Sequence, residues 1–446
     1  MKKALLFCTL LSAVTAIGAV NFNTYTPYLS VISVFVVTFL VVTKQLNPST
    51  YPIYLYGLAL SLLWQTSMLG TYIVGTDIHG ELTSTNWVID NGFHSFIPGG
   101  NGQVFGTTIL MPAINSIFSI PTIWQFKALI PAFFALTPVL LYFLYVRYFG
   151  AIRAYLASIF IVMMPMFVLD MTSHTKGMLA QPFFVATFLV LVLDIGFYKK
   201  LLLSSVCVIF VAINHYMVAA WLLIYLSSLL GLLILVKLFL RRVEFKTLLT
   251  ILLLIVICVT SFCLWDSQFF SSKVDTFITS AKNVFWATSE TVKSGGEGLD
   301  SNSIDPRVDL YLTRTDPISS TGTYLDKQDQ MVRAALGLDF MQVSSLGKLF
   351  RLAQMFIQFL FFLGAFYLLR RWCINKDNAI YLMLLVSSFL AMLCVVFVPF
   401  FSTYGSVTRI YQIALYFMAP SLIFGFEYFI RIIELCKNRV KVRLLY

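Results

Sequence analysis

The run Tyr51–Gly70, YPIYLYGLALSLLWQTSMLG, and the nearby Gly75-Thr76-Asp77-Ile78-His79-Gly80-Glu81 decide how this chain is read. The first stretch has no charged residue and, as a helix, is long enough to cross a hydrocarbon core of about 30 Å. The second places Asp77, His79 and Glu81 close to the expected membrane surface. Ionisable groups near lipid are expensive and tend to mark function. An apolar span with acids at its exit points to chemistry at a membrane face.

The rest of the chain fits that start. Of 446 residues, 59% are hydrophobic and 11% charged, and the mean hydropathy is +0.85. A soluble globule would carry about a quarter charged residues. The apolar runs are continuous, whereas barrel strands alternate over about ten residues. The fold class is therefore all-α integral membrane. The net charge of +11 does not imply a nucleic-acid partner, because Lys and Arg cluster at the ends of apolar runs. Cys8, Cys207, Cys258, Cys263, Cys373, Cys394 and Cys436 all avoid the long polar segment, so no disulfide framework is indicated. Met1-Lys2-Lys3 followed by apolar Ala4 to Val20 resembles a signal peptide; a retained first span keeps the topology consistent.

Twelve spans are expected, near 4–20, 28–43, 51–70, 126–146, 153–169, 178–197, 201–214, 216–238, 247–265, 349–369, 379–400 and 409–430. With the N-terminus inside, the inner segments hold most of the bases. The short outer loops hold only Lys127, Lys176 and Arg409, as the positive-inside bias requires. Both termini are then cytoplasmic and the acidic cluster extracytoplasmic. The expected divisions are two N-terminal spans (1–50), a membrane module (51–265) with an outer loop (71–125), a large extracytoplasmic loop or small domain (266–347), and a three-span segment with a basic tail (348–446). In the first outer loop, Asn86 to Phe93 reads as helical up to Gly92. Gln103 to Ile120, broken by Pro112 and Asn115, reads as helices in the interface.

Asp77 and Glu81 stand four residues apart, so a helix or an extended strand brings both carboxylates to one side. One could take a proton from a hydroxyl while the other positions it; with His79 they could instead hold a divalent cation such as Mg or Mn. The alternative is a solvated loop with a helix start. The next outer loop offers Asp170, His174 and Lys176, whose cation suits a phosphate, or else serves as a headgroup anchor. Asn214-His215-Tyr216 breaks an apolar stretch and is either a plain turn or a further donor to phosphate through His215. Arg409 opposes the positive-inside bias and wants an acidic partner or a phosphate. The interior of the spans is nearly free of charge, which argues against an ion-coupled transporter.

Val74-Gly75-Thr76-Asp77-Ile78-His79-Gly80-Glu81, the interrupted stretch through Pro112, Asn214-His215-Tyr216 and Arg409-Ile410-Tyr411-Gln412-Ile413-Ala414-Leu415 up to Ala419-Pro420 resemble an uncharacterised family of prokaryotic polytopic membrane proteins. That family resembles the GT-C superfamily of integral membrane glycosyltransferases. The resemblance implies a GT-C-like fold, a polyprenyl-phosphate-linked sugar as donor, a glycan or protein as acceptor, and a cell-membrane location among lipids. It puts Asp77 in the place of the acidic catalytic residue of the first outer loop, where it would act as base, with Glu81 beside it. Lys176, Arg409, His215 and His174 become the groups facing the donor phosphate. One departure stands out: where relatives carry a carboxylate about five residues after the loop's base, this chain has Gln181. A polysaccharide polymerase or ligase, leaning on Arg307, Arg314 and Arg333, is the nearest alternative; a lipid-linked glycan flippase and a non-catalytic scaffold come from other classes.

Overall fold

The computed structural model describes residues 1–22, 25–75, 77–93, 104–240, 244–269, 339–375, 379–397 and 407–443, with Lys282 and Gly337. Every regular element among them is helical. In chain order these are α1 Lys2–Val20, α2 Thr26–Val42, α3 Tyr51–Ser67, α4 Asp77–Asn91, α5 Gly106–Phe118, α6 Thr122–Phe149, α7 Ala151–Val162, α8 Thr175–Val192, α9 Phe197–Asn214, α10 Tyr216–Leu240, α11 Phe245–Phe269, α12 Ser345–Asn375, α13 Ala379–Phe397 and α14 Val407–Arg443. The Pro98–Gly102 turn and most of the 266–347 loop, including Arg307, Arg314 and Arg333, lie outside the described residues.

Nine described helices are long and apolar enough to cross a membrane, and a bent pair makes a tenth. The chain is a multi-pass membrane protein. The expected twelve is not reached because α2 and α3 have only 17 residues each, about 25 Å of helix. The expected span 153–169 is also not one rod. Ala151–Val162 and Met166–Ser173 meet at 57° across a break that contains Pro165. Proline lacks the N–H that would continue the ladder. By contrast, α9 and α10 are separate helices divided at His215, whose backbone is extended.

Contacts divide the chain into two compact units, residues 1–271 with 372–384, and residues 272–371 with 385–446. In the first, α1 and α2 pack on α3. Gly57 permits the approach of α1, because an added Cβ there would overlap the Cys8 side chain. Helices α8, α9, α10 and α11 pack in sequence beyond α6. Phe134 stacks on Phe167, and Phe184 meets Tyr225, within a core of fully buried aromatic rings. In the second unit α12 and α14 touch backbone to backbone: an added Cβ on Gly425 would overlap the Leu360 carbonyl, and one on Gly364 the Ser421 carbonyl.

Candidate functional site: an acid–base cluster at the start of helix α8

Helix α4 begins at Asp77, and Gly75 leads into it with φ +129°, a conformation that suits glycine. An added Cβ on Gly75 would overlap Ser173, so the chain leading to α4 lies directly on the turn before α8. The helical spacing puts Asp77 and Glu81 on one side and leaves His79 exposed. Among the described residues no three His, Cys, Asp or Glu side chains are arranged to hold a metal ion. The set Asp77, His79 and Glu81 does not converge as a cation site would need.

The carboxylates meet instead the residues that open α8. Glu81 is 1% exposed, and its Oε2 accepts a 2.9 Å hydrogen bond from the backbone N–H of Thr175, 94 residues away. Thr175 is the first residue of α8, and His174 before it supplies no side-chain cap. The first N–H groups of a helix have no partner within it. Glu81 fills that role from a distance and places its negative charge at the positive end of the helix. Its Oε1 lies 3.4 Å from Lys176 Nζ, an ion pair without a hydrogen bond. Burial pushes the Glu81 carboxyl above the ordinary glutamate range, and Lys176 and the Thr175 N–H oppose that shift.

Lys176 is equally enclosed, its side chain 3% exposed, and its Nζ also lies 3.9 Å from Asp77 Oδ2. It is a buried ammonium shared by Glu81 and Asp77. His174 stands on the other side of Asp77. Its Nε2 is 3.5 Å from Asp77 Oδ2. Its Nδ1 lies 2.8 Å from the Asp170 carbonyl and 2.9 Å from Ser173 Oγ. A carbonyl only accepts, so Nδ1 carries a proton and donates to Asp170 O. With Nδ1 occupied, Nε2 is the ring atom that faces the Asp77 carboxylate. Asp77, 42% exposed, is the most open acid of the group; Asp170, 31% exposed, comes next.

The bent pair before α8 delivers this arrangement. Met166–Asp170 forms a π turn and Met171–Ser173 a tighter turn, and together they present Asp170 and His174 side by side. His215 is buried behind them. A Cβ added to Gly177 would stand 3.7 Å from His215 Cδ2 and 3.8 Å from His174 Cβ. His215 Nδ1 accepts from the Met217 N–H, so this ring also caps the start of α10. Asn214, Thr175 and Glu81 are buried close by. Gln181, one turn below Lys176, donates to the Met171 sulfur, which is where the expected carboxylate is missing. Arg409 lies near the start of α14 in the second unit and is half-buried.

Sequence reasoning missed the cap that Glu81 gives α8, because no local pattern links residues 94 positions apart. It also read Lys127 as a loop base, whereas it is a buried member of α6.

Residues 330–444 match the model of a family described as "Predicted membrane protein (DUF2206)". The match covers α12 to α14, including Arg409 and Gln412, and agrees with the membrane character of this part. No curated protein matches the chain.

Proposed function

We propose that the chain is a membrane glycosyltransferase of GT-C type, which moves a sugar from a polyprenyl-phosphate-type donor to a hydroxyl acceptor at the outer face. The observation that carries this reading is the state of Asp77. It is an open carboxylate held between His174 Nε2 and Lys176 Nζ, while its neighbour Glu81 is enclosed and bonded to the Thr175 N–H. Such a carboxylate is placed to accept a proton from a hydroxyl, with the His174 ring beside it to take that proton on.

In the reaction Asp77 accepts the proton of the acceptor hydroxyl as that oxygen bonds to the anomeric carbon. The bond from the anomeric carbon to the phosphate oxygen breaks, and the phosphate leaves with the electron pair. The leaving group is already anionic and needs charge neutralisation rather than a proton. The proton on Asp77 passes to His174 Nε2, and the Nδ1–H bond to Asp170 O holds the ring in register for it. Glu81 and Lys176 keep α4 against α8. Among the described residues the cluster does not fit a protein-only metal site.

The test is Asp77→Asn in membranes, with sugar transfer measured from a polyprenyl-phosphate donor. Loss of a general base lowers the rate by about 10²–10⁴-fold. Transfer at the parental rate removes Asp77 from this role.

A further inference from the structure

Lys127 belongs to none of the groups above, yet it is 2% exposed. It sits in the π turn Gln125–Leu129 at the start of α6. Its ammonium donates to the carbonyls of Leu69 at 3.2 Å, Gly70 at 2.8 Å and Tyr72 at 2.6 Å. An ammonium has three donors, and all are used. Among the described residues it forms no ion pair with a carboxylate. Burying a charge without a counter-ion is unfavourable, so its tolerance here depends on the three carbonyl dipoles.

Those carbonyls lie past the end of α3, where the chain turns at Gly70 with φ +62°. The Gly70 N–H donates to Ala19 O at 3.3 Å. Bonds also run the other way. Trp64 Nε1 donates to Ala128 O at 3.0 Å, and Ser67 Oγ to Lys127 O at 2.7 Å. A π turn widens the helix and releases such carbonyls from the regular ladder. Residues 69–72 are therefore fastened by Lys127, and three residues later Gly75 is wedged on Ser173.

We propose that Lys127 is a positioning residue: a built-in cation that fastens the segment after α3 so that Asp77 is delivered beside His174. The proposal rests on Asp77 as the working carboxylate only for its effect on rate; the placement itself is tested without it. In membranes holding the full chain, Asp77→Cys and His174→Cys are combined and treated with a short bis-methanethiosulfonate, and the bridged peptides are measured by mass spectrometry. The pair bridges readily when Lys127 is present. With Lys127→Met, bridging falls to the level of a distant control pair, Asp77→Cys with Lys199→Cys. Lys127→Arg, which keeps charge and donors, recovers part of the rate, as a loss of mere packing volume would not allow. Bridging in Lys127→Met at the parental rate overturns the proposal, as does a parental pair that never bridges. If the Met variant does not reach the membrane, Lys127→Gln is judged by the same criterion.

In the chain with Asp77 and His174 intact, Lys127→Met lowers the kcat of transfer by about a hundredfold, the penalty of roughly 1 Å of misplacement, with the donor KM near the parental value. Reduced bridging with undiminished transfer leaves Lys127 as the fastener and removes Asp77 as the base, so the two failures are told apart.

Discussion

Glu81→Ala is the sharpest perturbation of the cluster. It removes the acceptor of the Thr175 N–H and the 3.4 Å partner of Lys176, both at the start of α8. Lys176 is left buried with Asp77 at 3.9 Å as its remaining carboxylate. Breaking a buried ion pair by removing one member costs about 3–5 kcal/mol. The orphaned N–H adds about 1–3 kcal/mol of desolvation when counted alone, but the two terms overlap and do not sum. About 4 kcal/mol is the working figure, and at roughly 2–4 °C per kcal/mol it lowers Tm by roughly 8–16 °C. Glu81→Gln separates the two contributions. The amide oxygen still accepts from Thr175, and the charge is gone. Because burial already works against the Glu81 charge, Gln loses less than half of what Ala loses. The assay is thermal unfolding of the purified full chain at neutral pH, alanine against glutamine. Equal losses in the two variants, or a loss under about 1 kcal/mol for alanine, would refute the capping argument.

Two further outcomes are expected. The Glu81 carboxyl is raised in the folded chain, so the folded form holds this proton more tightly than the unfolded form. The proton-linked part of its stability, separate from the hydrogen bond to Thr175, is present below about pH 4.5 and is lost as pH rises through the folded value, so unfolding scans across that window should show a decline that Glu81→Gln flattens. At the other end of the chain, Gly425→Leu forces a side chain into the Leu360 carbonyl and the Gly364 backbone. Overpacking of this kind costs about 1–3 kcal/mol or more, read as loss of folded protein in detergent, whereas Leu435→Ala on an exposed face of α14 stays within about 0.5 kcal/mol.

Much of the fold was legible because lipid demands long apolar runs, and those runs are plain in the sequence. Apolarity does not encode where a run stops being straight. Pro165 sits inside the stretch expected as one span, and the 57° bend there creates the turn that carries Asp170 and His174. The pairing of Asp77 with the Asp170–Lys176 loop follows from two polar segments flanking the same helices, and their ionisable residues do lie together. Their division of labour was not legible. Glu81 and Asp77 look alike in sequence, and only packing makes one a cap and the other an open acid. Lys127 looked like a loop base because a lone Lys at the end of an apolar run usually is one; a π turn folds it inward.

The hydrogen bond from Thr175 to Glu81 has a consequence for biosynthesis. The two residues are 94 positions apart, so at about 5–20 residues per second α4 leaves the ribosome roughly 5–20 s before its partner exists. During that interval an acidic side chain near the bilayer must stay hydrated. Glu81 can reach its buried place only once Thr175 and Lys176 have been made, because a buried carboxylate without those partners is costly.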